Sequence, residues 1–367
     1  MKIFLFRVDF SKQIGLGHFS RCLNLAEELL VRGIKSRFIC RYSSEIKRIK
    51  FSSDKRIIWL PELSEDEKSS ITNNHLSWLG CDMKKDAEQT LTSMQEYTKD
   101  EINLVIDHYS IDQEWLDLIS SACQKLILID DMAHRRLNVD FIINQNLNAN
   151  QSMYGTLGLS NNQLLFGSDY ALLAKNYQSI RGIQIAAKQE LKSSSILVFL
   201  GGGDVAELTL RVVEEILSLK RKDITLSIVL AAHNYTYSKL KELSLANPTV
   251  KVYAYIDDMA TFIAQHEFAI GAAGVSSLER ACLGVPTITF SIAENQNKIL
   301  TALGDAGCIL IANQQMLGKN DLFISQVELL LDNLGYRKKL KVRGMTLVDG
   351  KGTSRVVNRL LSNHYEN

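Results

Sequence analysis

A histidine placed directly after a pair of glycines is the strongest chemical feature of this chain. Gly15-Leu16-Gly17-His18 lies between an apolar run at residues 2–8 and a stretch whose apolar residues recur at helical spacing. A strand, a glycine turn and a helix form the local geometry of a ligand site in an open α/β sheet. The positive end of the helix dipole favours neutral imidazole, which is the form that a general base needs. The pattern predicts His18 as a catalytic base, with a solvent-facing histidine in an ordinary turn as the alternative.

A run of three glycines predicts a second ligand site. Gly201-Gly202-Gly203 follows an apolar run and precedes a helical pattern at 204–219. Glycines let backbone amides approach a ligand closely, and a helix N-terminus favours a phosphate. The adjacent Asp204 is expected to cap the helix, a role that is compatible with phosphate binding by the amides.

A third turn, built from small residues, lies at Gly274-Val275-Ser276 and opens a helical pattern at 275–283. Small residues allow a diphosphate to lie on the backbone. Glu279 stands about one turn into the helix, where an acidic group can reach the hydroxyls of a ribose. The alternative is that Glu279 only stabilises the helix dipole. The presence of two glycine turns in one domain favours the nucleotide interpretation.

Two amide side chains, Asn295 and Gln296, follow the apolar run at residues 286–290. Amides both donate and accept hydrogen bonds, so at the carboxyl end of a strand they suit sugar hydroxyls or acetamido groups. A capping turn with Glu294 or Asn295 as the N-cap residue is the alternative.

Polar residues also end two apolar runs in the first half of the chain, at Asp107-His108-Tyr109 and at Asp130-Asp131. Ligands bind at the carboxyl ends of parallel strands, so both segments are candidates for a site. Two adjacent aspartates suggest a metal, but no metal-binding motif accompanies them. A structural Asp/Arg network is therefore expected at Asp130-Asp131, and no metal site is predicted.

Short apolar runs alternate with helical patterns along the chain, which is typical of an α/β fold with parallel sheets covered by helices on both faces. A polar break between about 145 and 190 predicts two doubly wound, Rossmann-like domains that face each other across a central cleft. We expect an N-terminal domain at 1–170, a C-terminal domain at 171–350 and a C-terminal helix at 351–367. The predicted strands are 2–8, 36–40, 56–60, 103–107, 126–130, 141–144, 164–166, 195–200, 224–230, 250–254, 268–271, 286–290 and 308–311.

The composition argues against several classes of function. The chain has 367 residues, 46% of them hydrophobic, and a net charge of +1 from 42 basic and 41 acidic side chains. This near-neutral balance argues against binding to a nucleic-acid backbone and leaves room for one small anionic ligand. No apolar run reaches the length of a membrane span and no signal-peptide pattern is found, so no membrane segment is expected. The six cysteines form no CxxC pair, which suits free thiols and predicts a cytoplasmic protein.

In their order along the chain, these motifs resemble those of the UDP-2,4-diacetamido-2,4,6-trideoxy-β-L-altropyranose hydrolases of pseudaminic acid biosynthesis. The resemblance runs from about residue 1 to residue 310. The C-terminal half also resembles that of the lipid-linked peptidoglycan N-acetylglucosaminyltransferase, an enzyme with the two-domain GT-B fold. The motifs that carry the first resemblance are Arg7-Val8-Asp9, Gly15-Leu16-Gly17-His18, Arg21-Cys22-Leu23, Asp107-His108-Tyr109, Ile129-Asp130-Asp131, Asn144-Gln145-Asn146, Gly201-Gly202-Gly203-Asp204, Gly274-Val275-Ser276-Ser277-Leu278-Glu279-Arg280 and Glu294-Asn295-Gln296.

The resemblance implies a GT-B fold in which the C-terminal domain holds most of the UDP. It implies hydrolysis of the UDP-sugar, without metal or cofactor, to UDP and the free 2,4-diacetamido-2,4,6-trideoxy sugar. His18 then activates the water, which inverts the anomeric centre when it attacks opposite the leaving UDP. The substrate-binding residues predicted in this way are Gly15, Gly17, Arg21, Asp107, Tyr109, Gly202, Gly203, Gly274, Val275, Ser276, Glu279, Asn295 and Gln296.

Three other functions fit the same fold. A glycosyltransferase uses His18 to deprotonate an acceptor hydroxyl instead of water. A UDP-sugar 2-epimerase relies on several acidic and basic residues around the sugar, and a sensor binds the UDP-sugar without releasing UDP. A UDP-sugar is the one partner predicted, with no nucleic acid or membrane, and a monomer is the default expectation.

Overall fold

A computed structural model shows that the chain forms two compact units. The first unit comprises Met1–Ala174 and Gly352–Asn367, and the second comprises Lys175–Lys351. The residues that the structure describes are 2–11, 14–43, 50–69, 71–72, 74–133, 135, 137–154, 163–186, 194–201, 205–232, 234–292, 296–318 and 321–362.

The first unit is built on a sheet of seven parallel strands in the order β3-β2-β1-β4-β5-β6-β7. These strands are β1 (Ile3–Val8), β2 (Lys35–Arg41), β3 (Ile57–Leu60), β4 (Ile102–Asp107), β5 (Lys125–Ile129), β6 (Phe141–Asn144) and β7 (Leu164–Phe166). Its helices are α1 (Gly17–Val31), α2 (Glu65–Ser69), α3 (Met83–Met94), α4 (Gln113–Ile119) and α13 (Gly352–Leu361).

Both faces of this sheet are buried, which is why its strands are almost continuously apolar. Alternate side chains of β1 point to opposite faces, so Phe4 and Phe6 pack on the same side as α1 and α13. Ile3 and Leu5 pack on the other side, with α3 and α4. The result is a helix–sheet–helix sandwich, as the alternating pattern in the sequence predicts.

The second unit repeats this plan with six parallel strands in the order β10-β9-β8-β11-β12-β13. The strands are β8 (Ser194–Phe199), β9 (Ile224–Val229), β10 (Val250–Tyr253), β11 (Phe268–Ala272), β12 (Thr287–Phe290) and β13 (Ile309–Ala312). The helices are α5 (Lys175–Ala186), α6 (Ala206–Ser218), α7 (Tyr237–Ala246), α8 (Met259–Ala264), α9 (Val275–Leu283), α10 (Asn297–Asp305), α11 (Leu322–Asp332) and α12 (Leu334–Leu347).

The order of strands reverses once in each sheet. In the first unit the reversal lies between β1 and β4, and in the second between β8 and β11. Loops after two such strands diverge to opposite faces and leave a crevice at the carboxyl ends, where ligands bind in open α/β sheets. The glycine turns predicted as ligand sites follow β1, β8 and β11, so each lies at one of these switch points.

The C-terminal helix belongs to the first unit, whereas the sequence predicts a separate segment at 351–367 and a domain boundary at 170. Val356, Val357 and Leu360 of α13 are buried in the core that α1 covers. The Thr353 hydroxyl also donates to the carbonyl of Leu173 at 2.7 Å. These contacts extend the first unit to Ala174 and return the chain to it after Lys351. Among the described residues, no helix is both long and apolar enough to cross a membrane.

Candidate functional site

His18 lies in the first turn of α1, directly after the glycine turn that links this helix to β1. The loop folds back on itself, because Gly15 donates its N–H to Ser11 O at 2.9 Å with a φ of +77°, a value that favours glycine. Gly17 is exposed and begins the helix, and Leu16 at the N-cap position offers no side-chain cap. The predicted histidine at a helix start is confirmed, and its side chain is 11% exposed.

Asp107 ends β4 opposite Val8 of β1, which brings the carboxylate to the His18 turn. Its Oδ1 lies 2.6 Å from His18 Nδ1. Arg21 Nη2 also lies 3.2 Å from this nitrogen, but the shorter contact with the ionised Asp107 favours the tautomer with the proton on Nδ1. The lone pair of Nε2 then becomes the proton acceptor. The pair has the geometry of a general base that is oriented by an aspartate.

Arg21, one turn along α1, holds Asp107 from a second direction. Its Nε and Nη2 donate to the two carboxylate oxygens at 2.6 Å each, while Nη1 donates to Asp131 Oδ2 at 2.5 Å. Burial by itself raises the pKa of Asp107, but the charge of Arg21 and the contact with His18 bring that pKa well below its usual range. Asp107 therefore stays ionised, as an orienting partner of imidazole must.

Tyr109 continues this line of polar contacts. Its hydroxyl donates to Asp131 Oδ2 at 2.8 Å, the same oxygen that accepts from Arg21. Burial and the charge of Asp131 raise the pKa of Tyr109 well above its ordinary value. The phenol therefore keeps its proton and acts as a hydrogen-bond donor rather than as a base.

The two adjacent aspartates after β5 have different tasks. Asp130 is buried and accepts two N–H groups of the turn that follows it. Asp131 faces Arg21, so one half of the expected Asp/Arg network is part of the His18 site, although sequence reasoning assigned this residue only a structural role. Arg135 donates to main-chain carbonyls after β4 instead of to an aspartate. Among the residues described, no group of three or more His, Cys, Asp or Glu is arranged to hold a metal ion.

Aromatic rings pack around His18, and of these sequence reasoning selected only Tyr109. The Tyr109 ring lies edge-on to His18 with centroids 4.6 Å apart. Trp78 lies 6.0 Å from His18 and stacks on Tyr109 at 5.8 Å, and His75 lies 5.6 Å from Tyr109. The short helical turn His75–Ser77 has no apolar periodicity that could mark it in the sequence. Together the rings form an apolar wall beside the imidazole.

In the second unit, the small-residue turn begins α9 as predicted. Gly274 is the N-cap residue with a φ of +135°, and no described side chain caps this helix end. Val275 and Ser276 form the first turn and are partly exposed. First-turn N–H groups and the helix dipole favour an anion at this point.

Gln296 lies next to this turn. Its Oε1 accepts the N–H of Ile292 at 3.2 Å, and a Cβ atom at Gly274 would lie 3.7 Å from its Nε2. The turns after β11 and β12 therefore meet, as the order of their strands requires. Gln296 is the N-cap residue of α10, and the alternative caps Glu294 and Asn295 lie outside the described residues.

The remaining glycine turn is described only at its two ends. Gly201 follows β8 with a φ of +102°, and α6 begins at Ala206 with Val205 at the N-cap position. Asp204, for which a capping role is expected, lies outside the described residues. The predicted site residues that lie outside the described residues are Gly202, Gly203 and Asn295.

Glu279 lies in the second turn of α9 and is partly buried. Its carboxylate accepts a hydrogen bond from the hydroxyl of Tyr177 in α5. Burial raises the pKa of Glu279 even though the tyrosine opposes the shift. The helix dipole acts mainly within the first turn, which holds no acidic residue, so the purely dipolar role has little support.

Comparison with known proteins agrees with this architecture. Residues 196–343 match the glycosyltransferase family 28 C-terminal domain, a stretch that lies within the second unit. The fold and this match together define a two-domain protein whose second unit is similar to the glycosyltransferase family 28 C-terminal domain.

Relatives match the chain at low identity. The spore coat polysaccharide biosynthesis protein SpsG of Bacillus subtilis is 24% identical over 358 residues, which cover 96% of this chain and 95% of that protein. The UDP-2,4-diacetamido-2,4,6-trideoxy-β-L-altropyranose hydrolase of Campylobacter jejuni is 24% identical over 309 residues, 84% of this chain and 97% of that enzyme. Protein MJ1062 of Methanocaldococcus jannaschii is 25% identical over 79% of this chain, which spans 56% of that relative's length.

Solved structures show the fold. MurG of Acinetobacter baumannii superposes with a TM-score of 0.62 at 14% identity, covering 97% of this chain and 98% of MurG. UGT71G1 of Medicago truncatula, crystallised with UDP-glucose, gives a TM-score of 0.64 at 14% identity, with 98% of each chain covered. The chain thus has the GT-B fold, with two Rossmann-like domains, as predicted from the sequence.

Proposed function

We propose that this protein hydrolyses UDP-2,4-diacetamido-2,4,6-trideoxy-β-L-altropyranose, or a closely similar UDP-sugar, to UDP and the free sugar. Two findings support a UDP-sugar as the substrate class. The second unit matches the C-terminal domain of a glycosyltransferase family, and one relative of similar length is a UDP-sugar hydrolase. The finer assignment rests on the chemistry available at His18.

The observation that carries the proposal is the 2.6 Å contact between His18 Nδ1 and Asp107. The contact leaves Nε2 of the imidazole as the proton acceptor, so one base can remove a proton from one water molecule. Asp107 in turn is fixed by Arg21, so the ring has a defined orientation. Hydrolysis of a sugar bonded to UDP requires little more, because UDP leaves well once its charge is shared by hydrogen-bond donors.

On the nucleotide side, we assign the diphosphate to the first turn of α9. Gly274 brings no side chain there, and the residues Val275 and Ser276 are partly exposed. Glu279 is assigned to the ribose hydroxyls, for which it exchanges its hydrogen bond with Tyr177. Gln296, which packs against Gly274, is assigned to the sugar or the phosphate nearest to it.

The reaction follows from these roles. The imidazole of His18 takes a proton from water as the water oxygen bonds to C1 of the sugar, and the C1–O bond to UDP breaks with both electrons passing to the diphosphate. Attack opposite to the leaving group inverts C1. The hydroxyl of Tyr109 and the guanidinium of Arg21 remain donors throughout, since both keep their protons.

The second candidate is a glycosyltransferase, which the match to a glycosyltransferase domain favours. In that case His18 takes its proton from an acceptor hydroxyl instead of from water. The two candidates differ in one requirement, because a transferase releases UDP at a useful rate only when its acceptor is present.

The test measures UDP release from the UDP-sugar without acceptor and with EDTA, for the wild type and for His18→Ala. Hydrolysis predicts release by the wild type and a loss of at least about 100-fold in the variant, with UDP affinity retained. Glu27→Gln, a change at an exposed position of the same helix, serves as the control. Folded wild type that binds UDP but releases none would contradict hydrolysis of this sugar, and product NMR that shows retention would contradict the inverting attack.

A further inference from the structure

Arg280 in α9 is a buried cation without an acidic partner among the described residues. The residue is 1% exposed, and no ion pair within 4 Å is formed with it. Its Nη2 donates to the carbonyl of Ala272 at 2.8 Å and its Nη1 donates to Ser276 Oγ at 3.1 Å. Its Nε is buried and finds no partner in the described part of the chain.

This arrangement is costly for the free protein. A buried charge is normally paired with an opposite charge, because hydrogen bonds to neutral groups replace only part of its hydration. Burial accordingly lowers the pKa of Arg280 to about 10, although the nearby Glu279 opposes that shift. Glu279 is directed to Tyr177 instead of to the guanidinium.

The backbone is shaped to admit this guanidinium. A Cβ atom at Gly271 would lie 2.6 Å from Arg280 Cζ, so the guanidinium in this position packs directly against the glycine near the end of β11. The guanidinium donates hydrogen bonds both to Ala272, at the end of the strand, and to Ser276, in the first turn of the helix. The charge therefore lies beneath the helix N-terminus whose amides Gly274 leaves uncapped.

We propose that Arg280 is the buried counter-charge of the nucleotide's diphosphate and positions the first turn of α9 to receive it. It touches the turn through Ser276 Oγ and acts on the ligand through its charge, without direct contact. This assignment rests on the proposed UDP site at α9. It explains why a cation is kept where no described carboxylate lies within 4 Å of it, since the missing negative charge arrives with the ligand.

The experiment compares Arg280→Met with Arg280→Lys in binding of UDP, UMP and uridine by calorimetry or competition. Loss of the charge is expected to weaken the binding of UDP by about 10- to 100-fold. The affinity for UMP should fall less and that for uridine hardly at all, because the effect scales with the charge of the ligand. Arg280→Lys keeps the charge and is expected to retain most of the UDP affinity. Arg221→Met removes one positive charge at the opposite end of the second unit's sheet, and serves as a control that leaves binding unchanged.

Thermal unfolding gives the second readout. The free Arg280→Met protein is expected to unfold at the same temperature as the wild type or a higher one, while the stabilisation that UDP adds shrinks. Equal losses for UDP and uridine, or equal losses in the Met and Lys variants, would show a merely structural role and overturn the assignment. Wild type that fails to bind UDP would overturn the proposed site together with this role, whereas unchanged UDP affinity in Arg280→Met would overturn this role alone.

Discussion

The buried arginines of the two units are balanced in different ways. In the first unit, Arg21 donates to Asp107 and Arg7 donates to Asp86, each through two nitrogens. In the second unit, Arg280 donates to a carbonyl and a hydroxyl. The first unit therefore satisfies its own charges and orients His18 before any ligand arrives. The charge of Arg280 has no acidic complement among the described residues until an anion binds.

The balance in the first unit extends well beyond the candidate site. Asp86 of α3 accepts from Arg7 of β1 at 3.1 and 2.7 Å, from Arg41 of β2 at 2.5 Å and from the indole of Trp115 in α4 at 2.9 Å. All four side chains are buried. One carboxylate thus ties two strands and two helices together, and Asp9, which accepts from Arg7 at 2.7 Å, supplies the second negative charge that the two buried cations require.

The largest expected effect concerns the orientation of the base. Asp107→Asn is expected to slow UDP release by about 1,000- to 10,000-fold, because the amide no longer holds the His18 tautomer or its charge. Initial rates at saturating substrate measure this, with UDP affinity determined in parallel. Asp117→Asn, at an exposed position of α4, is the matched control. A loss of less than tenfold would show that Arg21 and the aromatic rings orient the imidazole without the carboxylate.

The next largest effect tests whether the buried arginines of the first unit need a buried countercharge for stability. Asp86→Asn is expected to lower the free energy of unfolding by about 3–5 kcal/mol, because Arg7 and Arg41 are left buried with less than their full countercharge. Urea unfolding followed by fluorescence measures the change. Glu96→Gln removes the exposed partner of Arg37 and should cost less than about 1 kcal/mol. Similar values for the two variants would remove the distinction between buried and surface pairs.

Acid should unfold the first unit at a higher pH than the second. Burial alone raises the pKa values of Asp9, Asp86 and Asp107, but their cationic neighbours bring each below its ordinary value. Each carboxylate therefore contributes stability that is complete above its unfolded-state pKa, about 3.9, and that is lost as the pH falls through its folded-state pKa. Glu279 has a raised pKa, so its contribution has the opposite sign and is not lost on acidification.

The sequence supplies a probe for this difference, because its tryptophans report on one unit only. We expect their fluorescence to show unfolding of the first unit below about pH 4, while part of the far-UV circular dichroism remains. Coincident transitions in the two signals would show that the units unfold together and that charge balance does not distinguish them. The three tryptophans, all in the first unit, are Trp59, Trp78 and Trp115.

The smallest effect concerns the return of the chain to the first unit. Thr353→Val removes the hydroxyl that donates to Leu173 O and should cost about 1 kcal/mol. Tryptophan fluorescence should register this loss, although the mutated residue follows the whole second unit in sequence. Thr346→Val, at an exposed position of α12, should leave the fluorescence transition unchanged.

The sequence predicted every strand of the described residues and the general plan of both sheets, because apolar runs and glycine turns are local signals. It predicted His18 and Asp107 separately, the first at the start of a helix and the second at the end of a strand. It did not predict their 2.6 Å contact, which depends on β4 lying beside β1. The place of Asp131 in the site was missed for the same reason, since β5 must lie beside β4 before this aspartate can reach Arg21.

Other features had no local signal at all. Trp78 lies in a short irregular segment, and only the packing of the first unit brings its ring to His18. In the sequence, nothing distinguishes Arg280 from any other cation of a helix, and nothing distinguishes Gly271 from any other residue of a strand. Their dependence on each other becomes visible only when the guanidinium is found against the glycine. The sequence likewise did not assign α13 to the first unit, because the residues that pack against its apolar face lie far away in the chain.

The position of α13 also fixes when the first unit can be completed during synthesis. Leu173 and its partner Thr353 are 180 residues apart, so a ribosome adding about 5–20 residues per second separates them by roughly 10–40 s. During that interval the apolar face of α1 that α13 covers stays open, while the second unit emerges and folds. We expect the nascent chain to be a client of chaperones over this interval, with its first-made unit finished last.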